Sequence, residues 1–208
     1  MRLEFETPGG VGWADLDRPR GARALLALTH GAGGGVETAD LLAIRAASVE
    51  AGIAVALITQ PYRVAGRRTP PASGPQDTAW LALVAVLRAR RGLGALPFVV
   101  GGRSNGARVA CRTAVASGAV GVVALAFPLH PPGRPEKSRL DELAGAGLST
   151  LVVQGDRDPF GLPPKGKGRR IVVVPGADHA LRRGTAIVAT AVTSFVISTL
   201  SGGTPGVP

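Results

Sequence analysis

The stretch Pro97-Phe98-Val99-Val100-Gly101-Gly102-Arg103-Ser104-Asn105-Gly106 passes from an apolar run through paired glycines to a serine, then into a helix-like segment. Residues 102–106 have the form G-x-S-x-G between a strand and a helix. Glycines suit a turn too sharp, and too close to its neighbours, for larger side chains. A serine at its apex would project its hydroxyl beyond the sheet edge, beside the backbone N–H of the next residue, Asn105. In a chain with 30 Gly such a pattern also arises by chance, so Ser104 needs partners to count as a nucleophile.

Outward from this turn, strand and helix patterns alternate. Arg2 to Asp17 reads as two short strands joined at Thr7-Pro8-Gly9-Gly10. Ala24–Thr29 and Ile53–Ile58 are continuous apolar runs, the signature of strands covered on both faces. Between them Glu37–Gly52 has helical spacing, with Gly52 as its stop. Gln60–Pro75 is rich in Pro, Arg and Gly and reads as a surface loop, followed by a helix over Gln76–Arg91. After the serine turn come a helix to about Ser117, a strand over Val120–Phe127 and a proline-rich loop, Pro128–Glu136. A short helix over Lys137–Gly145, strands at Leu151–Gln154 and Ile171–Val174, and a helix over Thr185–Leu200 complete the pattern. Alternation of this kind implies an α/β fold, a mostly parallel central sheet with helices on both faces. Residues 1–208 read as a single domain, with 201–208 as a frayed tail. The loops Gln60–Pro75 and Pro128–Glu136 are expected to line a pocket.

A serine hydroxyl needs a base, and the base needs a carboxylate to set its tautomer. The chain has 3 His. His179 lies in Pro175-Gly176-Ala177-Asp178-His179, directly after the last strand, on the rim where Ser104 is expected. Asp156 and Asp158, in Gln154-Gly155-Asp156-Arg157-Asp158-Pro159-Phe160-Gly161, follow another strand end. Asp178 adjoins His179, but adjacent side chains diverge, so it reads as a loop or capping residue.

These segments, in the order Ser, Asp, His, resemble the α/β-hydrolase superfamily over nearly the whole chain. Gly102-Arg103-Ser104, Pro128-Leu129-His130-Pro131-Pro132-Gly133 and Asp156-Arg157-Asp158-Pro159-Phe160-Gly161 are similar to the small, lidless dienelactone-hydrolase-like branch, and within it to the Tex-type proteins. The resemblance implies an α/β-hydrolase fold without a substantial cap domain. It also implies a carboxylate placed as G-x-x-D, which selects Asp158 over Asp156, and thus a Ser104–Asp158–His179 triad. Its oxyanion donors would be the N–H of Asn105 and one from His30-Gly31-Ala32-Gly33, with Ala32 ahead of Gly33. Asn105 departs from the bulkier residue of many relatives, but only its backbone is required. Arg103 and His130 are candidate substrate contacts, each with a bland alternative as a flanking or loop residue. His30 is a third, although it reads better as a structural histidine bonded to the glycine loop. The implied activity is hydrolysis of ester or thioester bonds in small, accessible substrates, with no cofactor. Because a chromatin-complex subunit is similar too, the alternative is a catalytically weak scaffold of the same fold.

Composition sets the outer bounds. Hydrophobic residues make up 45% and charged residues 18% of 208, enough apolar material for a substantial core. One cysteine, Cys111, excludes an intrachain disulfide and a cysteine metal cluster. Neither glycine loop has the P-loop form, and the pattern of a dinucleotide fingerprint does not fit. The net charge of +10 comes from scattered arginines with little aromatic interleaving, which argues for non-specific attraction and not for a nucleic-acid site. No apolar run reaches the ~18 residues of a membrane span, and the first residues lack the core of a signal peptide. A cytoplasmic location with a small-molecule substrate is the expectation.

Overall fold

Burial alternates along Gly10–Asp17 but is unbroken along Ala24–Thr29, and this separates the N-terminal hairpin from the central strands. The computed structural model describes residues 1–200, so the tail over 201–208 lies outside the described residues. In chain order the strands are β1 (Arg2–Thr7), β2 (Gly10–Asp17), β3 (Ala24–Thr29), β4 (Ile53–Thr59), β5 (Phe98–Arg103), β6 (Gly121–Leu125), β7 (Thr150–Gly155) and β8 (Arg169–Val174). The helices are α1 (Ala39–Glu50), α2 (Pro61–Val64), α3 (Ser73–Ala89), α4 (Asn105–Thr113), α5 (Leu140–Ala144) and α6 (Thr185–Leu200).

These strands form one sheet in the order β1-β2-β4-β3-β5-β6-β7-β8. The hairpin β1–β2 joins β4 antiparallel, and every pair from β4 through β8 is parallel. On one face Trp80, Leu83 and Leu87 of α3, Val109 of α4 and Leu143 of α5 pack on Phe98, Val100 and Val122. On the other, Leu41 and Ile44 of α1 and Val192 and Phe195 of α6 pack on Leu26, Leu28 and Val123. The side chains of β5 divide by parity between the two cores, as a pleated strand requires.

Several boundaries depart from the sequence reading, among them the end of α4 at Thr113, and two of the departures have a plain physical cause. Gln60–Pro75 is not a surface loop throughout: Gln60, Pro61 and Tyr62 are buried, and Pro61 opens the short helix α2. Tyr62 is anchored by a tertiary hydrogen bond, which loop composition does not reveal. Helix α3 begins at Ser73 and not at Gln76, because Pro75 falls in the first turn, where its missing N–H has no intrahelical acceptor to lose.

Parallel strands align their carboxyl ends on one edge. The glycine loop after β3, the serine after β5 and the loops after β7 and β8 therefore share a rim. Between β6 and β7, where a cap could be inserted, the chain makes turns and the five-residue α5, so no cap domain stands over the rim.

Candidate active site

Ser104 has φ 54° and ψ −113°, a conformation that a side-chain-bearing residue holds only when its surroundings enforce it. The enforcement is visible. The Ser104 N–H donates to Leu125 O at 2.8 Å, and α4 starts at the next residue. A β-carbon on Gly102 would stand 2.6 Å from the Gly106 carbonyl carbon, and one on Gly106 would stand 2.7 Å from His30 O. Strand, helix and glycine loop thus close on one another only because both flanking residues are glycine.

His179 reaches this serine from the loop after β8, with Nε2 2.9 Å from Ser104 Oγ. Its Nδ1 lies 2.8 Å from Asp158 Oδ2. An ionised carboxylate can only accept, so the ring proton belongs on Nδ1 and Nε2 is left to accept from the serine hydroxyl. Asp158 is held in turn by the Phe160 N–H, which donates to Oδ1 at 2.9 Å, and by Gln154 Nε2, which donates to Oδ2 at 2.7 Å. The Phe160 ring lies 4.2 Å from the imidazole, centroid to centroid. Asp156 is exposed, and Asp178 accepts from the Ala180 N–H as a loop residue.

The glycine loop borders the serine, since a β-carbon on Gly31 would lie 3.3 Å from Ser104 Cβ. Among the described residues, no acceptor is bonded to the N–H of Ala32, Gly33 or Asn105. The Ala32 carbonyl accepts from Tyr62 Oη at 2.8 Å, which orients that peptide. Burial pushes the Tyr62 hydroxyl up to about 12, so it stays a donor.

The structure gives two of the three candidate substrate contacts other partners, and for His30 this is the structural role that its sequence reading favoured. His30 is completely buried, its Nδ1 is 2.8 Å from Gly31 O, and its Nε2 accepts from the Gln60 N–H at 3.0 Å. Both nitrogens are committed to backbone, and burial lowers the imidazole to about 4, so it stays neutral. The Arg103 guanidinium is engaged by groups of the protein itself. Its Nη2 donates to His179 O at 2.6 Å, and its Nε lies 3.3 Å from the buried Asp40. His130 is half-buried, with Nδ1 2.9 Å from Pro131 O and its Nε2 edge against Gly161, beside the Asp158 loop. Cys111 is buried, and burial first, then the nearby Glu142 charge, raises its thiol to about 12.

A cavity of about 270 Å³ lies on the same rim, between the β1–β2 turn and the segment from Gln60 to Gln76, with Tyr62 and Arg67 in its wall. The loop 128–136 does not line it. Gln154, Phe160, Tyr62 and Asp40 were not legible as site residues. For Gln154 one signal existed: it is a polar side chain ending the apolar run Leu151-Val152-Val153.

A model of the α/β hydrolase domain family matches residues 22–191. The chain belongs to that family. Among solved structures, this α/β hydrolase is similar to Est1E from Butyrivibrio proteoclasticus, at 18% identity and TM-score 0.78, covering 96% of this chain and 99% of that one. A serine hydrolase without a lid from Xanthomonas campestris aligns at 18% identity and TM-score 0.73, over 100% and 96% of the two chains. Dienelactone hydrolase from Anabaena variabilis aligns at 17% identity and TM-score 0.75, over 95% and 96%. No curated protein matches the sequence. At these identities the likeness is one of fold, and it includes one protein described as lidless. Among the described residues, no helix of this α/β hydrolase is long and apolar enough to cross a membrane.

Proposed function

We propose that this chain is a serine hydrolase that cleaves ester or thioester bonds of small, accessible substrates. The observation that carries the reading is the unbroken relay from Ser104 Oγ through His179 to Asp158, at 2.9 and 2.8 Å. Ser104 attacks the acyl carbon while His179 Nε2 takes the hydroxyl proton. Asp158 holds the ring and stabilises its charged form. The tetrahedral oxyanion would be met by the N–H of Asn105 and of Ala32, or Gly33, donors without a protein acceptor in the described residues. His179 then protonates the leaving group, and a water activated by the same imidazole releases the acyl group.

Absence of a cap domain favours substrates that need no interfacial opening. Short p-nitrophenyl esters should therefore turn over faster than long-chain triglyceride emulsions. The proposal includes a small-molecule substrate and a cytoplasmic location. Its test is labelling by a fluorophosphonate probe, with loss of label and of ester turnover in Ser104→Ala. An unlabelled wild-type protein with no ester turnover would reject it in favour of a scaffold role.

A further inference from the structure

Asp40 is completely buried in the first turn of α1, and neither carboxylate oxygen has a hydrogen-bond partner. A charge taken out of water in this way persists only beside an opposite charge. That charge is Arg103, whose Nε lies 3.3 Å from Asp40 Oδ2 and whose side chain is 14% exposed. Its Nη2 donates to the carbonyl of His179 at 2.6 Å. Its Nη1 runs along Gly31, where a β-carbon would come within 3.5 Å of it. One guanidinium, carried by the residue before Ser104, thus pairs with α1, bonds the histidine loop and lies alongside the glycine loop.

The geometry points to Arg103, seated on Asp40, as the positioning residue that holds the His179 loop and the glycine loop in register with Ser104. Its catalytic consequence rests on the serine-hydrolase reading above; its mechanical consequence does not. The histidine loop is a strand-end turn with little regular structure of its own, and the bond to the His179 carbonyl ties it at the residue that matters. An ion pair of this kind adds little to folding compared with well-packed apolar side chains. Its location against three segments of one rim is what gives it a task, because small displacements of a reacting group are costly to rate.

Replacing Arg103 alone would strand the Asp40 carboxylate, so the two are exchanged together. Asp40→Leu keeps the branch at the γ-carbon, and Arg103→Met keeps the unbranched stem. The double variant should unfold at or above the wild-type temperature. Amide hydrogen exchange over residues 176–184 should accelerate about tenfold, and kcat for a short ester should fall about 10- to 100-fold with KM within about twofold of wild type. A folded double variant with wild-type exchange in that loop, or with undiminished kcat, would overturn the assignment. Arg103→Lys serves if the double variant does not fold: it keeps a cation for Asp40 but shortens the reach to His179. It should show the same changes in smaller measure, and wild-type exchange and kcat would again overturn the assignment. A wild-type protein with no Ser104-dependent labelling would refute the hydrolase reading instead, and the exchange measurement would then decide on the positioning role by itself.

Discussion

Gly155 and Ala177 approach so closely that a β-carbon on Gly155 would stand 2.3 Å from the Ala177 carbonyl oxygen. The first ends β7, ahead of Asp158, and the second lies two residues before His179. Contact between the acid loop and the base loop is therefore backbone on backbone, with no room for even a methyl group.

Gly155→Ala should accordingly push the two loops apart while leaving the sheet intact. We expect kcat on a short ester to fall by about 10²-fold, since a displacement on the order of 1 Å at a catalytic group has that effect. Steady-state kinetics alongside a circular dichroism spectrum would check it, and wild-type kcat in a well-folded variant would contradict it.

Gln154 supplies a buried donor to Asp158 and also reaches Phe127 O at 3.2 Å and Gly161 O at 3.0 Å. Gln154→Met keeps its volume and removes all three contacts. A donor to a charged acceptor contributes about 1.5–3 kcal/mol, so kcat should drop about tenfold or more. Gln154→Glu, which sets a second carboxylate against Asp158, should be worse than Gln154→Met; the reverse order would refute this role.

His30 should make the fold sensitive to acid. Its native value of about 4 lies below the ordinary 6.5, so between those values the unfolded chain binds a proton that the native protein does not. Stability is then present in full above pH 6.5 and declines as the pH falls toward 4, by about 3 kcal/mol in all. Urea unfolding of wild type and His30→Gln at pH 7 and pH 4.5 measures it. Equal losses in the two proteins would show that His30 is not the group responsible.

Three helices on one face are joined by charge: Arg112 bonds to Asp77 of α3 and Glu142 of α5, and Arg108 bonds to Glu142. Burial works to raise the Glu142 carboxyl, but the bonds and charges of Arg108 and Arg112 outweigh it and hold the group below the usual carboxylate range. Glu142→Gln should cost about 1–2 kcal/mol, because Arg108 and Arg112 lose a charged acceptor in a partly screened position. Thermal unfolding of the variant beside wild type would check this, and an unchanged melting temperature would contradict it.

Local physics made much of the molecule legible in its residues. Unbroken apolar runs at Ala24–Thr29 and Ile53–Ile58 can be satisfied only by strands covered on both faces, and they occur as such. Helix α6 occupies Thr185–Leu200 as its composition indicates. The candidates Ser104 and His179, and the acids Asp156 and Asp158, could be picked out because each follows a strand and parallel strands end on one edge; the choice of Asp158 over Asp156 came from the family resemblance. Gln60 to Val64 was misread because Pro and Arg content reports average solvent preference, whereas the burial of Tyr62 depends on the Ala32 carbonyl far away in the chain.

What the residues determined unaided were the features set by periodicity and by near-neighbour sterics. These are the α/β alternation, the sharp glycine-flanked turn at Ser104, and the order in which a serine, an acid and a base arrive at strand ends. Only the tertiary structure supplied the partners that hold each histidine. His30 and His179 both follow strands, but one is desolvated with both nitrogens bound to backbone while the other lies between a hydroxyl and a carboxylate. It also set Arg103 between a buried acid on α1 and the carbonyl of His179. The physical reason is the same in each case: the state of a polar group is set by desolvation and by its partners, and those come from segments distant in the chain.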